Sequence, residues 1–393
     1  MAQQMVECVH ANAQSRSPSY VDSDSIVFKN ERNDLALRFL TDAKKAQKAM
    51  EDCSDVCAIY FPADLDVAFN SEIENRLAAD ICEWRFFTCL SKSLKDLAIS
   101  MSRLCSLQVN LSYERRTLLH RHLAWIYIMD EVCERLPVYG LHDTVEKTYL
   151  ENLKNITRNL PIEDLNQYKG ICPDDLLHMA LDVQKILAED LMPLKRELLE
   201  ESHVQKCSET LCLFIDYQYE EGKIFLERPT SHETMPTRVY TIGINMVFLL
   251  SLQTPIVEVY NANDMGLVQL SIIGALYHDF IGLQKDLNCR DLKLDGSIGL
   301  NLVVASMKES GYNEKEAMQA MVRRLNSYCH DLQFFMSAYP PLYKQFYQAG
   351  LQIVFALHDY HLMGATESSN SRYGWHRVSD YKHSESSQDP RAP

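Results

Sequence analysis

Apolar residues recur at intervals of three and four along most of the chain, whereas alternating apolar and polar runs are almost absent. The first spacing is typical of amphipathic helices, and the second is typical of half-buried strands. The pattern therefore predicts an all-α protein. Short loops with Pro, Gly or Asn separate its helices, which are predicted over residues 33–51, 71–107, 114–136, 174–200, 203–227, 265–288, 313–336 and 341–364.

The two ends of the chain depart from this pattern. Residues 1–24 lack an apolar segment flanked by basic residues, so they are predicted to be a disordered leader and not a secretory signal. The chain turns polar again after Thr366, and residues 374–393 are predicted to be a disordered tail. Residues 25–373 are then expected to form one helical domain.

Composition narrows the classes of function. The 393 residues carry 39 Lys and Arg against 54 Asp and Glu, a formal charge of −15, which argues against a nucleic-acid surface or a basic membrane anchor. The twelve cysteines show no CxxC pair and no metal-finger spacing, so free buried thiols are expected. The longest apolar run, residues 244–252, is too short to span a membrane. We therefore expect a cytoplasmic protein.

An acidic cluster, "DEVCE", lies near the end of one predicted helix. Asp130 and Glu134 are four residues apart and share a helix face, with Glu131 a little way round. The same face is apolar when followed backwards through Tyr127, so the carboxylates stand at the rim of an apolar wall. Such a cluster alone is more often a solvated helix face, although like charges at this spacing repel and favour a compensating cation.

A second polar stripe lies in "HDFIGLQKD". On a helix, His278, Gly282 and Asp286 align at i, i+4 and i+8, and small residues at Ser271 and Gly274 leave room beside the same stripe. Two helices of this kind, facing each other, would enclose an apolar cavity with oxygen ligands at its mouth. This arrangement suits Mg²⁺, although a lone histidine more often packs or hydrogen-bonds.

Candidate binding groups for an anion lie elsewhere in the chain. In "RVYTIG", Arg238 begins an apolar stretch, and Thr241 and Gly243 stand where a helix could break and leave backbone groups free. An arginine beside such a break can bind a diphosphate with two hydrogen bonds. Further groups able to reach the same anion are Lys285, Arg372 and Tyr373.

These four elements occur in one order: "DEVCE", "RVYTIG", "HDFIGLQKD" and the Arg372-Tyr373 pair. In this combination the chain resembles the class I terpene synthases, most closely the single-domain microbial type also found in octocorals, over most of residues 30–373. The resemblance implies a helical bundle of the isoprenoid synthase type, with about a dozen helices around an apolar cavity. It also implies Mg²⁺-dependent ionisation and cyclisation of a polyprenyl diphosphate, with three Mg²⁺ per site and Mn²⁺ as a substitute.

The resemblance also implies roles for the matched residues. The Mg²⁺ ligands would be Asp130, Glu134, His278 and Asp286. The diphosphate would be bound by Arg238, Lys285, Arg372 and Tyr373. Supporting residues would be Glu131, which would orient Arg238, together with Asp279 and Thr241. Direct catalytic roles would fall to Asp130, Arg238 and Tyr127, and the substrate cavity would be walled by Phe87, Trp125, Tyr127 and Phe248.

The second metal motif departs from the family pattern at three positions. His278 stands for the usual Asn or Asp, Gly282 for Ser, and Asp286 for Glu. A water molecule over Gly282 can replace the missing hydroxyl, and Asp286 keeps an oxygen ligand. Imidazole is a softer ligand than Mg²⁺ prefers, so the alternative that His278 packs or hydrogen-bonds stays open.

Other functions are compatible with parts of the pattern. An isoprenyl chain-elongating synthase would share the metal chemistry but would carry two aspartate-rich motifs. A non-catalytic helical scaffold would explain the altered second motif, but not the retention of Arg238, Lys285, Arg372 and Tyr373. Likeness to octocoral enzymes favours geranylgeranyl diphosphate and a diterpene hydrocarbon, with farnesyl diphosphate and a sesquiterpene as the alternative. Beyond the substrate, no nucleic acid or membrane anchor is expected, and a homodimer stays open.

Overall fold

A computed structural model describes much of the chain and leaves several segments outside its description. The leader predicted over residues 1–24 lies outside the described residues, and so does the chain from residue 379 onwards. The described residues are 27–61, 69–107, 111–227, 231–252, 257–258, 260–261, 264–291, 301–362, 365, 371 and 373–378.

Helices make up most of the described residues and confirm the predicted fold class. Five-residue π turns, His142–Glu146 and Leu187–Leu191, lead into α5 and α7. The helices are α1 Ala43–Asp52, α2 Ser71–Glu83, α3 Lys92–Cys105, α4 Tyr113–Val138, α5 Lys147–Thr157, α6 Asp174–Ile186, α7 Met192–Leu198, α8 Glu201–Glu227, α9 Ser231–Thr241, α10 Ile244–Ser251, α11 Met265–Asp291, α12 Leu302–Ser310, α13 Glu314–Ala338 and α14 Pro341–Leu362.

A small sheet joins the two ends of the described chain and was not predicted. Its strands, in the order β3-β2-β1-β4, are β1 Val27–Asn30, β2 Ala36–Leu40, β3 Val56–Tyr60 and β4 Trp375–Val378. Strand β1 pairs antiparallel with β2 and β4, and β2 pairs parallel with β3. The sheet therefore ties the chain before α1 to the chain after α14.

The sheet corrects two expectations. The helix predicted over residues 33–51 is wrong at β2, because a short apolar run buried on both faces has no alternation that separates it from a buried helix. The boundary predicted at residue 373 is also wrong, because β4 follows it. Trp375, fully buried in a polar stretch of sequence, fixes β4 through an indole N–H bond of 3.2 Å to the Ile281 carbonyl of α11.

Four helices position the polar motifs. Helix α8 packs against α4 and α9, and α9 packs against α11, so the acidic cluster on α4 and the second motif on α11 are connected through α8 and α9. Helix α11 is also covered by α12, α13 and α14. Its stretch Met265–Leu287 is apolar enough to cross a membrane by length and composition, but 78% of its most apolar window is buried, as in a core helix.

Close packing around α11 corrects one further expectation. The small residues on the His278 stripe were expected to leave room beside the helix. A methyl group added at Gly274 would instead overlap the Ile244 side chain of α10. The missing side chain therefore lets α10 approach α11 closely, and Ile244 fills the space.

Candidate active site

The acidic cluster lies near the C-terminal end of α4. Asp130 and Glu134 are half-buried there. Glu131 lies 3.9 Å from Arg135 of the same helix, and Arg135 also bonds Asp175 at 2.6 Å. Burial raises the pKa of Glu131, Arg135 lowers it, and Asp130 adds to the rise. Glu131 thus pairs with Arg135 at a partly exposed position on α4.

Arg238, at the end of α9, is held by carboxylates from two other helices. Its Nη2 donates to Oδ1 of Asp279 at 2.8 Å, and its Nε lies 3.3 Å from both oxygens of that carboxylate. Its Nη1 donates to Oε1 of Glu221 on α8 at 3.1 Å. In this structure Asp279 and Glu221 occupy the guanidinium and Glu131 pairs with Arg135, so the orientation of Arg238 by Glu131 stays a prediction.

The two carboxylates around Arg238 differ in their protonation. Burial by itself raises the pKa of Asp279, but Arg238 and His278 outweigh it and lower the pKa to about 2. Burial raises the pKa of Glu221 to about 7, with Arg238 opposing and Asp130 adding to the rise. Asp279 and Glu221 in turn outweigh burial and raise the pKa of Arg238. Arg238 is permanently charged, with one firmly ionised partner and one that titrates near neutrality.

The end of α9 confirms the predicted helix break. Helix α9 ends at Thr241, and α10 begins at Ile244. Gly243 between them has a φ of +72°, a conformation that other residues rarely adopt. Thr241 is buried at this end of α9. The break therefore lies directly beside the Arg238 cluster.

His278 and Asp279 project from the middle of α11. The Nδ1 atom of His278 lies 3.0 Å from Oδ1 of Asp279 and 3.4 Å from Nη2 of Arg238. Its ring also meets the ring of His361 of α14 edge to face, with 5.6 Å between centroids. Nδ1 of His278 is thus part of the Arg238 cluster. The role of His278 as a metal ligand stays a prediction.

Asp286 is held by a residue that the sequence did not single out. Asn301 donates from Nδ2 to Oδ2 of Asp286 and to the Asp279 carbonyl, both at 2.9 Å. Its Oδ1 accepts from the Val303 N–H and caps α12. The only sequence signal was an Asn before an apolar run, which is typical of any helix N-cap.

Two neighbours complete the second motif. Lys285 Nζ lies 3.5 Å from Oδ1 of Asp286, and about a third of the Lys285 side chain is exposed. A methyl group added at Gly282 would lie 3.8 Å from Oδ2 of Asp286, which is an ordinary contact. The structure therefore leaves room beside Asp286 for the hydroxyl that the family pattern carries.

The C-terminal pair is described only in part. Arg372 lies outside the described residues. Tyr373 is buried, and its ring meets that of His361 edge to face at 4.5 Å. Since His361 also contacts His278, the segment before β4 lies beside the second motif.

The predicted cavity aromatics fall into two groups. Tyr127 is half-buried on the α4 face that leads to Asp130. Trp125 is fully buried, and its indole donates to the Val183 carbonyl of α6 at 3.0 Å. It points about 140° around α4 from Asp130, so its assignment to the cavity wall is corrected to the packing between α4 and α6.

The other two predicted wall residues are also buried in packed surroundings. Phe248 packs edge to face on Phe346 of α14, with 4.6 Å between centroids. Phe87 lies on a short 3₁₀ turn beneath Lys95, whose Nζ is 5.7 Å from the ring. Aromatic and aliphatic groups do approach the helix break, since Ile126 and Phe214 come within 3.9 Å of a methyl group placed on Gly243.

The donor chemistry of the site fits Mg²⁺. Within the described residues, no three His, Cys, Asp or Glu side chains already converge as a metal site. Asp130, Glu134 and Asp286 nevertheless offer carboxylate oxygens, the ligands that hard divalent cations prefer. Burial raises the pKa of Cys133, and nearby carboxylates, Asp130 and Glu134 among them, add to the rise, so negative charge gathers on this side of α4. A divalent cation would offset that charge.

Known proteins share both the sequence and the fold. A family model described as terpene synthase family 2, C-terminal metal binding, matches residues 121–331. The chain is 75% identical over 388 residues to (+)-bicyclogermacrene synthase of Penicillium expansum, covering 97% of this chain and 100% of that relative. The matched region contains both acidic motifs and the Arg238 segment.

Two solved structures are similar in fold. One is 2-methylisoborneol synthase from Streptomyces coelicolor in complex with Mg²⁺ and 2-fluoroneryl diphosphate, with a TM-score of 0.58 and 14% identity over 75% of this chain and 93% of that one. The other is abietadiene synthase from Abies grandis, with a TM-score of 0.52 and 13% identity over 73% of this chain and 38% of that one. These two structures show the fold that the chain shares. The family model and the Penicillium relative show that this chain belongs to the class I terpene synthases, lyases that cyclise prenyl diphosphates.

Proposed function

We propose that this chain converts farnesyl diphosphate to a bicyclogermacrene-type sesquiterpene hydrocarbon and releases diphosphate. The observation that carries the proposal is the 75% identity to (+)-bicyclogermacrene synthase along essentially the whole of both chains. The expectation of a C20 substrate and a diterpene product rested on likeness to octocoral enzymes, and this relative does not support it. We therefore replace it with the C15 alternative.

In this proposal the diphosphate is bound on the α9–α11 side of the site. Arg238 meets it with a charge that its carboxylate partners keep permanent. Lys285, whose ammonium is partly exposed beside Asp286, and Tyr373 lie on the same side. Asp279 keeps the guanidinium oriented, because its ionised carboxylate makes the shortest bond to it.

The metal ions are proposed to sit between the diphosphate and the two acidic motifs. Asp130 and Glu134 would hold Mg²⁺ from α4, and Asp286 and His278 would hold it from α11. Bound Mg²⁺ would offset the charge of the leaving diphosphate. Asn301 keeps the Asp286 carboxylate in place from the N-terminus of α12.

The hydrocarbon part of the substrate needs a dry surface. Tyr127 and Ile126 of α4, with Phe214 of α8, give an apolar wall that reaches the break at Gly243 beneath Arg238. Such a wall excludes the water that would quench an allylic cation, and an aromatic face adds about 0.5–2 kcal/mol of cation–π attraction. The charged and apolar halves of the site thus meet at the helix break.

The test is product formation across chain lengths. The protein is incubated with C10, C15, C20 and C25 prenyl diphosphates and Mg²⁺, and hexane extracts are analysed by gas chromatography–mass spectrometry. We expect a C15 hydrocarbon from farnesyl diphosphate, and no product from the Asp130→Asn control. Turnover only with the C20 substrate would overturn the chain length. Turnover that requires isopentenyl diphosphate and yields a longer diphosphate would identify a chain-elongating enzyme.

A further inference from the structure

A buried histidine–glutamate pair packs against α8, the helix that carries Glu221. The π turn His142–Glu146 places both side chains on one side, and Nδ1 of His142 lies 2.7 Å from Oε2 of Glu146. His142 is 5% exposed and Glu146 is fully buried. The extra residue of a π turn re-aims side chains and is frequent at functional sites. Nothing in the proposed chemistry uses this pair directly.

The pair contacts α8 at two positions about one turn apart, Tyr219 and Gly222. The His142 ring stacks on Tyr219, with 4.4 Å between centroids and 11° between planes. A methyl group added at Gly222 would lie 2.8 Å from Nδ1 of His142 and 3.2 Å from Oε1 of Glu146. Tyr219 also donates to Asp143 of the same π turn at 3.1 Å. The π turn and α8 are thus in contact with no space for a side chain at Gly222.

Gly222 is next to the residue that holds Arg238. Glu221 lies about 100° around α8 from Gly222 and accepts from Nη1 of Arg238 at 3.1 Å. A glycine inside a helix costs about 0.5–1 kcal/mol relative to alanine, and here it lets the α8 backbone lie against the π turn. The close contact at Gly222 therefore lies one residue from the carboxylate that binds Arg238.

The charge state of the pair suits this role. Burial raises the pKa of Glu146 to about 9, and Glu221 and Asp143 add to the rise. Burial also lowers the pKa of His142. The pair is then neutral at pH 7 and shares one proton. A neutral Glu146 does not compete with Glu221 for the charge of Arg238.

We propose that the His142–Glu146 pair is the positioning element for Glu221 and, through it, for Arg238. The inference rests on the proposed role of Arg238 at the diphosphate. The two side chains fix where one turn of α8 lies, and Glu221 on that turn binds the Arg238 guanidinium. They touch neither substrate nor metal in this proposal, so they are positioning residues and not catalytic ones.

The central test adds a methyl group at Gly222 and then removes the His142 ring that the methyl group would meet. Gly222→Ala forces the His142 ring and α8 apart, so binding of inorganic diphosphate with Mg²⁺, measured by calorimetry, is expected to weaken by about tenfold. His142→Ala in the same chain makes room for the added methyl group. The double variant is expected to bind better than Gly222→Ala alone but less well than the wild type, because the steric conflict is relieved while the contacts of the His142 ring stay lost.

The matched control is Gly266→Ala at the start of α11, where an added methyl group would meet the Tyr347 ring, remote from Arg238. It is expected to lower thermal stability without changing diphosphate affinity. Equal losses of affinity in Gly222→Ala and Gly266→Ala, or no recovery in the double variant, would overturn the positioning role. Wild-type protein that binds no inorganic diphosphate would overturn the role of Arg238 and this inference with it, whatever substrate length is correct.

A second variant covers failure of Gly222→Ala to fold. Tyr219→Ala removes the ring on which His142 stacks, at a half-buried position that tolerates truncation better. It is expected to weaken diphosphate binding in the same direction by about threefold. Unchanged affinity in a folded Tyr219→Ala protein would show that the π turn does not position α8.

Discussion

Two sets of carboxylates surround the proposed diphosphate site, and they are held in different ways. Asp130 and Glu134 are half-buried on α4, where the helix period alone places them on one face. Asp279 and Glu221 are buried, come from two helices, and bond one guanidinium on a third. The first set is placed by local structure, whereas the second exists only after the tertiary fold has formed. This difference predicts opposite responses to mutation.

The largest effect on stability is expected in the buried set. Asp279→Asn removes the ionised partner of Arg238 and leaves a buried charge with weaker compensation, which should cost about 3–5 kcal/mol of unfolding free energy. The matched control is Asp175→Asn, because Asp175 also bonds an arginine but its side chain is 66% exposed. That change should cost less than about 1 kcal/mol. Equal losses in urea unfolding would remove the distinction between the two sets.

The half-buried carboxylates should respond in the opposite way, with a small effect on stability and a large effect on activity. Asp130→Asn removes a charge from a crowded carboxylate face, so folding should be little affected, while the lost metal ligand should lower turnover by about a hundredfold or more. Circular dichroism reports the fold, and released diphosphate reports the rate. Turnover near that of the wild type would take Asp130 out of the metal site.

The same difference explains what the sequence could predict. The α4 cluster and the break at Gly243 were predicted because spacing and a single glycine are local signals. Glu221 was not, because in "YEEGK" it looks like its neighbour Glu220. Glu220 pairs with Lys223 at the surface, whereas Glu221 binds Arg238 in the interior. A helix period identifies a face but not the residue that it meets.

Asn301 and the sheet escaped prediction for a related reason. An Asn before a helix predicts a cap and says nothing about a second bond to Asp286, fifteen residues earlier in the chain. Strand β4 lies in a polar stretch, and only its pairing with β1 makes it a strand. Both features depend on contacts between segments distant in sequence.

Asn301→Ala tests whether a buried partner controls a metal ligand. The change removes the cap of α12 and the bond to Asp286, and we expect a loss of about 1–3 kcal/mol in stability. The Mg²⁺ concentration for half-maximal rate should rise as well. Asn313→Ala removes a comparable cap, at the start of α13, and should leave the Mg²⁺ requirement unchanged. A similar shift in both variants would mean that Asn301 acts only as a cap.

Buried carboxyls should also make stability depend on pH. Folded Glu146 keeps its proton up to about pH 9, whereas an unfolded glutamate loses it near pH 4.3. Below about pH 6.5 the lowered pKa of His142 acts in the opposite direction. Glu221, with a folded pKa of about 7, holds a second extra proton below that pH. The folded state thus holds extra protons from about pH 4.3 to 9, and stability should fall across this range by about 1.4 kcal/mol per pH unit for each extra proton. Glu146→Gln should flatten this slope in urea unfolding, and an unchanged slope would show that Glu146 is ionised.

The smallest expected effect comes from restoring the family residue at Gly282. Serine fits at this position, since its Cβ would lie 3.8 Å from Oδ2 of Asp286. Replacing a glycine inside a helix should also raise the free energy of unfolding by about 0.5 kcal/mol. Its hydroxyl would stand beside the Asp286 carboxylate and supply an oxygen ligand in place of water, so the Mg²⁺ concentration for half-maximal rate should fall. Gly282→Ala is the control, because it makes the same backbone change without the oxygen. If both variants lower the Mg²⁺ requirement equally, the gain comes from a stiffer α11 and not from a new ligand.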